Sequence, residues 1–164
     1  MVAIELNLAY QKRALGSLLI LLLAGTLPLR ADREADVRAQ ITYVASALGS
    51  GNPSDALSPF DKSYKDYGKL RDYFQALTNG FDITSEVEIL DEQDEEGETK
   101  LLVNWTLTLS SSRAATDLTA STSEHRSANI NIRLVPQKGK WKIMDFSPID
   151  IFNPAARPRS SQER

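Results

Sequence analysis

Asp145 is the residue whose position most invites chemistry. It lies in Trp141-Lys142-Ile143-Met144-Asp145-Phe146. In a strict two-residue alternation it shares a face with Trp141 and Ile143. A carboxylate on that apolar face is desolvated, its pKa rises, and it suits general acid or base work. A β-bulge after Ile143 gives the opposite outcome: Met144 or Phe146 turns inward and Asp145 meets solvent. Tyr43, Tyr64, Tyr67 and Tyr73 are the hydroxyls that could stand beside such an acid. Each also reads as core or rim packing with its hydroxyl hydrogen-bonded. His125 is the single histidine, and its alternation sets it with Ser127 and Asn129 on a polar face. Glu124 and Arg126 have the opposite parity, but at a strand end beside a Ser/Thr-rich stretch they read as a solvated pair.

Composition removes many other chemistries. The 164 residues contain no cysteine, so disulfides, thiolate nucleophiles, Cys-ligated zinc and iron–sulfur clusters are excluded. One histidine excludes a multi-His metal site within the chain. A net charge of −3 and a pI near 5.2 argue against nucleic-acid binding. The acidic run at residues 91–98 fails as an EF-hand: placing Gly97 at position six puts Glu92 at one and Val103, not Glu, at twelve. It reads as a charged hairpin connection that keeps the molecule soluble. Asn104-Trp105-Thr106 matches a glycosylation triplet but falls in mid-strand. There is no nucleotide-binding glycine loop and no serine nucleophile elbow. No cofactor and no metal are expected.

The N-terminus has a layout of its own. Lys12 and Arg13 precede an uncharged stretch at residues 14–29, densest in Leu18-Leu19-Ile20-Leu21-Leu22-Leu23-Ala24, and Arg30 closes it. A basic flank, an apolar run and a small residue beyond it form a secretory signal. Ala31 fits the residue before the cut, with Gly25 as an alternative. A spanning helix wants about 20 apolar residues, and this run is shorter and contains Pro28. The expectation is an exported chain, periplasmic or secreted, with residues 1–31 as signal, 32–152 as one domain and 153–164 as a disordered tail. The alternative is an uncleaved anchor that tethers the domain to the inner membrane, facing outward.

The elements that must position these residues follow from periodicity. Val37, Ile41, Val44 and Leu48 recur at helical spacing, and Gly49 and Gly51 end that helix. Asn52-Pro53 opens a short second helix that runs to Pro59. Leu70, Tyr73, Phe74 and Leu77 form a third amphipathic stretch, stopped by Asn79-Gly80. The period then becomes two. Phe81, Ile83, Val87 and Ile89 alternate with acids and Thr84. Leu101, Val103, Trp105, Leu107 and Leu109 make a second strand, and Ala128, Ile130, Ile132 and Leu134 a third. Lys138-Gly139 turns the chain into a fourth at residues 141–146. Helices followed by long antiparallel strands indicate an α+β domain of three N-terminal helices on a curved four-stranded sheet.

The layout resembles the nuclear transport factor 2-like, or cystatin-like, superfamily. The resemblance rests on the first helix ending at Leu48-Gly49, on Tyr67-Gly68-Lys69-Leu70-Arg71-Asp72-Tyr73-Phe74, and on Gly139-Lys140-Trp141-Lys142-Ile143-Met144-Asp145-Phe146-Ser147-Pro148. It covers roughly residues 32–152 and is similar to exported bacterial members of unassigned function. It implies a cone with a pocket between a concave sheet and the helices, lined by Tyr43, Tyr67, Tyr73, Phe74, Trp105 and Trp141. It also implies frequent pairing through the sheets, for which Leu102, Asn104, Thr106, Asn129 and Asn131 supply a mildly polar face. The superfamily holds enzymes, scaffolds and assembly domains, so the fold does not fix the function. The leading expectation is a non-catalytic domain that binds a small apolar ligand or a protein partner. The rival is a small proton-transfer or hydrolytic enzyme using Asp145 with a tyrosine.

Overall fold

Val37, Ile41, Val44 and Leu48 are all fully buried, as one apolar helix stripe should be. They belong to α1 (Leu27–Gly49). The computed structural model describes residues 27–111 and 123–156, and the chain divides into two units, residues 1–36 and 37–164. Of the first unit the described part, residues 27–36, is helical and forms the first turns of α1. The helix therefore already runs through residues assigned above to the signal. The apolar run itself lies mostly outside the described residues, and among those described no helix is long and apolar enough to cross a membrane.

The second unit follows the expected order. After α1, Gly51 takes a positive φ of 69°, a conformation that glycine adopts without penalty. Asn52 caps α2 (Pro53–Leu57) by accepting from the Asp55 amide at 3.1 Å. In α3 (Tyr67–Gly80), Leu70, Phe74 and Leu77 form the buried face. Four antiparallel strands then pair in chain order: β1 (Phe81–Glu95), β2 (Glu98–Ser111), β3 (Ser123–Gln137) and β4 (Lys140–Ser147). Leu101, Val103, Trp105, Leu107 and Leu109 face one way from β2, and Ile130, Ile132 and Leu134 do so from β3. With the helix faces they make one hydrophobic cluster. The α+β class and the three-helix, four-strand order are therefore as expected.

Three departures have physical causes. First, the acidic run is mostly strand: β1 continues to Glu95 and the turn is only Glu96-Gly97, with Gly97 at φ 84°. Lys100 lies 2.7 Å from Glu95 and 3.3 Å from Glu98, so an opposite charge across the hairpin offsets the repulsion. A bulge at Leu90, where the register slips between Ile89 and Asp91, reverses the alternation beyond it. Glu92 and Asp94 are then half-buried and Leu90 is exposed. Second, β3 starts earlier and ends later than its apolar core. Third, the chain remains organised beyond β4: a single-turn 3-10 helix (Asp150–Phe152) buries Ile151 and Phe152, and residues 153–156 form a hydrogen-bonded turn where a loose tail was expected.

The outer edge of β4 is covered. Ile143 donates to the Pro59 carbonyl at 3.0 Å and accepts from the Asp61 amide at 2.9 Å, and Lys142 donates to the Ser58 carbonyl at 2.7 Å. The segment between α2 and α3 thus satisfies ladder groups that an edge strand would otherwise expose.

Candidate functional site

Between the sheet and α3 sits an aromatic cluster. Trp105 comes from β2, Phe146 from β4, Phe74 from α3 and Phe152 from the 3-10 helix, and all four are fully buried. Trp105 meets Phe146 at 5.6 Å and Phe152 at 5.5 Å, both edge to face. Edge-to-face contact suits the charge distribution of aromatic rings. Of the six residues expected to line a pocket, Phe74 and Trp105 are therefore core. Tyr67, Tyr73 and Trp141 are partly buried against that core, with the Lys69 ammonium 5.4 Å from the centre of the Tyr73 ring. Tyr43 is 45% exposed, so the structure does not bring it together with the others.

Two buried polar groups beside these aromatics have partners within the fold. The Trp105 indole N–H donates to Ser85 Oγ at 3.0 Å. The Tyr64 hydroxyl donates to the Phe146 carbonyl. Burial, with the negative charges of Asp66 and Asp145 added, pushes that hydroxyl's pKa up, so Tyr64 is a permanent donor at neutral pH.

Asp145 does not enter this cluster. The register of β3 with β4 slips between Arg133 and Leu134, leaving Met144 as the extra residue. The bulge breaks the alternation: Ile143 and Phe146 both point inward and are fully buried, while Asp145 stands opposite Arg133 on the other face. There it lines a hollow of about 190 Å³ with Lys100, Asn131 and Arg133. Its Oδ1 accepts from the Phe146 amide at 2.9 Å. Asp145 is close enough to Tyr64 for its charge to be felt, yet the Tyr64 proton is given to a carbonyl. At the edge of that hollow the Lys100 ammonium donates hydrogen bonds to the carboxylates of Glu95 and Glu98, which hold its pKa above the usual value.

The middle of the outer face of the two central strands is uncharged and internally bonded, while Lys100 and Arg133 stand toward one end of it. Asn104 Nδ2 donates to Asn129 Oδ1 at 2.9 Å, and Ser127 Oγ donates to Asn104 Oδ1 at 3.3 Å. His125 is exposed on this face, its Nδ1 3.0 Å from Thr108 Oγ1. Asp82, Glu86 and Glu88 flank the strip along β1.

Arg126 is the functional-looking residue that the sequence reading misplaced. It is 8% exposed rather than solvated. Its guanidinium donates to Glu124 at 2.7 Å and to the carbonyls of Ile151, Asn153 and Ala156 at 3.0, 2.6 and 3.1 Å. The inward parity of position 126 was the available signal. What strand spacing could not supply was the returning segment that gives the charge its acceptors. Phe152 was missed for the same reason, since it lies beyond the last strand. Among the described residues no group of three or more His, Asp or Glu is placed to hold a metal.

No family model and no curated protein sequence matches the chain. Solved structures do match. A conserved protein from Planctomyces limnophilus superposes with a TM-score of 0.61 at 7% identity, over 71% of this chain and 94% of that one. A nuclear transport factor 2-like protein of unknown function from Shewanella oneidensis gives 0.52 at 7% identity, over 70% and 96%. A Novosphingobium aromaticivorans protein with the provisional name scytalone dehydratase gives 0.56 at 9% identity, over 74% and 85%. At these identities the likeness is one of fold.

Proposed function

We propose that this chain, which has the nuclear transport factor 2-like fold, is an exported, non-catalytic binding domain. In this reading it recognises a protein surface through the outer face of its sheet, and a second copy of the chain is the first candidate partner. One observation carries the non-catalytic reading: the buried polar groups of Tyr64, Trp105 and Arg126 are already committed inside the fold. Tyr64 serves the Phe146 carbonyl, Trp105 serves Ser85, and Arg126 serves Glu124 and three carbonyls. Asp145 lies on the opposite face. Acid–base catalysis needs a proton carrier within reach of a substrate, and a shared fold at 9% identity transfers no activity.

The outer face suits a partner for two reasons. Interface centres are depleted in charge, and the strip formed by Asn104, Thr106, Ser127, Asn129 and Asn131 is uncharged. Its side chains also hold one another in place, so less conformational freedom is lost on docking. Export is supported by Lys12-Arg13, the uncharged run and Arg30.

Sedimentation equilibrium tests the pairing. The wild-type chain should dimerise as concentration rises, and Asn129→Arg, which sets a charge in mid-face, should remain monomeric with an unchanged melting temperature. A wild-type chain that stays monomeric at high concentration refutes pairing with itself. Mass spectrometry of the mature N-terminus tests export: a chain beginning near Asp32 supports it, and an intact N-terminus in the membrane fraction supports the tether instead.

A further inference from the structure

Five of the chain's eight lysines come from two neighbouring stretches of the fold. The β3–β4 hairpin supplies Lys138, Lys140 and Lys142, and the segment that covers the β4 edge supplies Lys62 and Lys65. Three contacts join the two stretches. Ile143 exchanges backbone hydrogen bonds with Pro59 and Asp61. Lys142 donates to the Ser58 carbonyl at 2.7 Å. The Asp61 carboxylate accepts from the Gln137 side chain. Gln137 precedes Lys138 and pairs with Lys140, and Asp61 precedes Lys62. The Tyr64 amide then donates to the Asp61 carbonyl at 3.1 Å, a turn that keeps Lys65 beside them. Lys62, Lys65, Lys138 and Lys140 are exposed, and among the described residues none of the four is in an ion pair. The contrast with other cations is plain: Arg38, Arg71, Lys100, Arg126 and Arg133 each hold a carboxylate.

We propose that this lysine patch rests on the headgroups of an anionic lipid bilayer. Its composition sets the partner. The patch holds lysine and no arginine. Arginine suits fixed, paired recognition, whereas the lysine ammonium is a compact, hydrated charge on a flexible stem, which matches the smeared charge of a headgroup layer. Each lysine near such a surface strengthens attachment by about fivefold, and the gain is lost as salt screens it. The nearby acids do not cancel the patch. Asp61 is engaged by the Ser63 amide at 2.8 Å and by Gln137, which leaves Asp66 against four exposed lysines. On the neighbouring hairpin, Glu95 and Glu98 are matched by Lys100. The chain as a whole is acidic, and Asp82, Glu86 and Glu88 lie on β1, at the opposite edge of the sheet. Attraction at one edge and repulsion at the other would fix the orientation of the domain on the bilayer. An exported or tethered chain would meet such a surface, but attachment to vesicles does not require the export reading. The patch lies beyond the β4 edge, apart from Asn129 in mid-face, so this reading and self-pairing stand or fall separately.

The test is a lysine footprint of the full chain on vesicles of phosphatidylcholine, alone or with phosphatidylglycerol at about 30%. A water-soluble acetylating reagent marks each lysine, and mass spectrometry follows the rates. Any contribution of the apolar N-terminal run is common to both vesicles, so their difference isolates charge. On the charged vesicles Lys62, Lys65, Lys138 and Lys140 should react at least about threefold more slowly than on the neutral ones, while Lys100 is unchanged, and about 0.5 M salt should remove the difference. Lys138→Gln combined with Lys140→Gln changes two exposed side chains and should return Lys62 and Lys65 to their rates on neutral vesicles. Arg71→Gln, which removes a cation outside the patch, should leave the protection in place. Equal rates on the two vesicles overturn the proposal, as does protection of Lys62 and Lys65 that survives the double substitution. Poly-glutamate replaces the vesicles in a last arm. Protection by that polymer, with none on the charged vesicles, overturns the bilayer in favour of an acidic protein.

Discussion

Replacing Tyr64 with phenylalanine removes a single oxygen from a side chain that is 4% exposed. The hydroxyl donates to the Phe146 carbonyl, on the bulged edge strand β4. The variant keeps the ring and its contact with Phe60, 6.2 Å between centroids, but leaves that carbonyl without its donor. Stranding a buried polar group costs about 1–3 kcal/mol. In a domain of this size each kcal/mol lowers the melting temperature by roughly 3–6 °C. The pH dependence adds a second, independent signature. Burial, then the charges of Asp66 and Asp145, push the native hydroxyl above its ordinary value of 10.0. Above that pH the unfolded chain loses this proton while the folded chain keeps it. The unfolded state then binds fewer protons, and wild-type stability falls as pH rises, by at most about 1.4 kcal/mol per pH unit. Below pH 10 the contribution is fully present. The gap between wild type and Tyr64→Phe should therefore be widest near neutral pH and narrow by roughly 1 kcal/mol by pH 11. Urea denaturation of both chains at pH 7, 9 and 11 measures it, and taking the difference cancels the other tyrosines and the lysines. A gap absent at pH 7, or constant across the series, would refute the assigned hydrogen bond or the burial of the hydroxyl.

Three further outcomes follow from single contacts. Ser85→Ala removes the acceptor of the buried Trp105 indole and should cost about 1–2 kcal/mol; a double-mutant cycle with Trp105→Phe should recover most of that as coupling. Gly97→Ala has open space around the new methyl but a φ of 84°, so its loss of about 1 kcal/mol should come from backbone strain alone, and a neutral melt would contradict the turn. Asp145→Asn keeps an oxygen for the Phe146 amide on the outer face, and should change stability by less than about 1 kcal/mol. Any isomerase or hydrolase turnover that this substitution abolished would revive the enzymatic reading.

The sequence was most legible where strands have a neighbour on each side. In β2 and β3 every apolar position assigned inward by alternation is inward, from Leu101 to Leu109 and from Ile130 to Leu134. Both failures of alternation fall in the edge strands: the bulge at Leu90 in β1 and the bulge at Met144 in β4. A central strand is pinned by two ladders, so an extra residue would disrupt both. An edge strand has only one ladder to disrupt, and bulges are over-represented there. Asp145 therefore left the apolar face, and Glu92, read from sequence as part of a hairpin connection, faces inward, for the same reason. Arg126 and Phe152 were illegible in a different way, because their surroundings are made by a segment that returns from beyond the last strand.

The same edge features bear on where a partner could dock. An unpaired strand edge invites pairing with another chain. Here β4 is bulged and its edge groups at Ile143 are taken by Pro59 and Asp61. The opposite edge strand, β1, is bulged and carries Asp82, Glu86, Glu88, Asp91, Glu92, Asp94 and Glu95, which would repel a second copy aligned along it. Strand addition is thus disfavoured at both edges, at one by cover and at the other by charge. The uncharged strip in the middle of the outer face of β2 and β3, from Asn104 and Thr106 to Ser127 and Asn129, is subject to neither obstacle. That asymmetry is why a charge placed at Asn129, in the middle of the face, is a sharper test of association than any change along an edge.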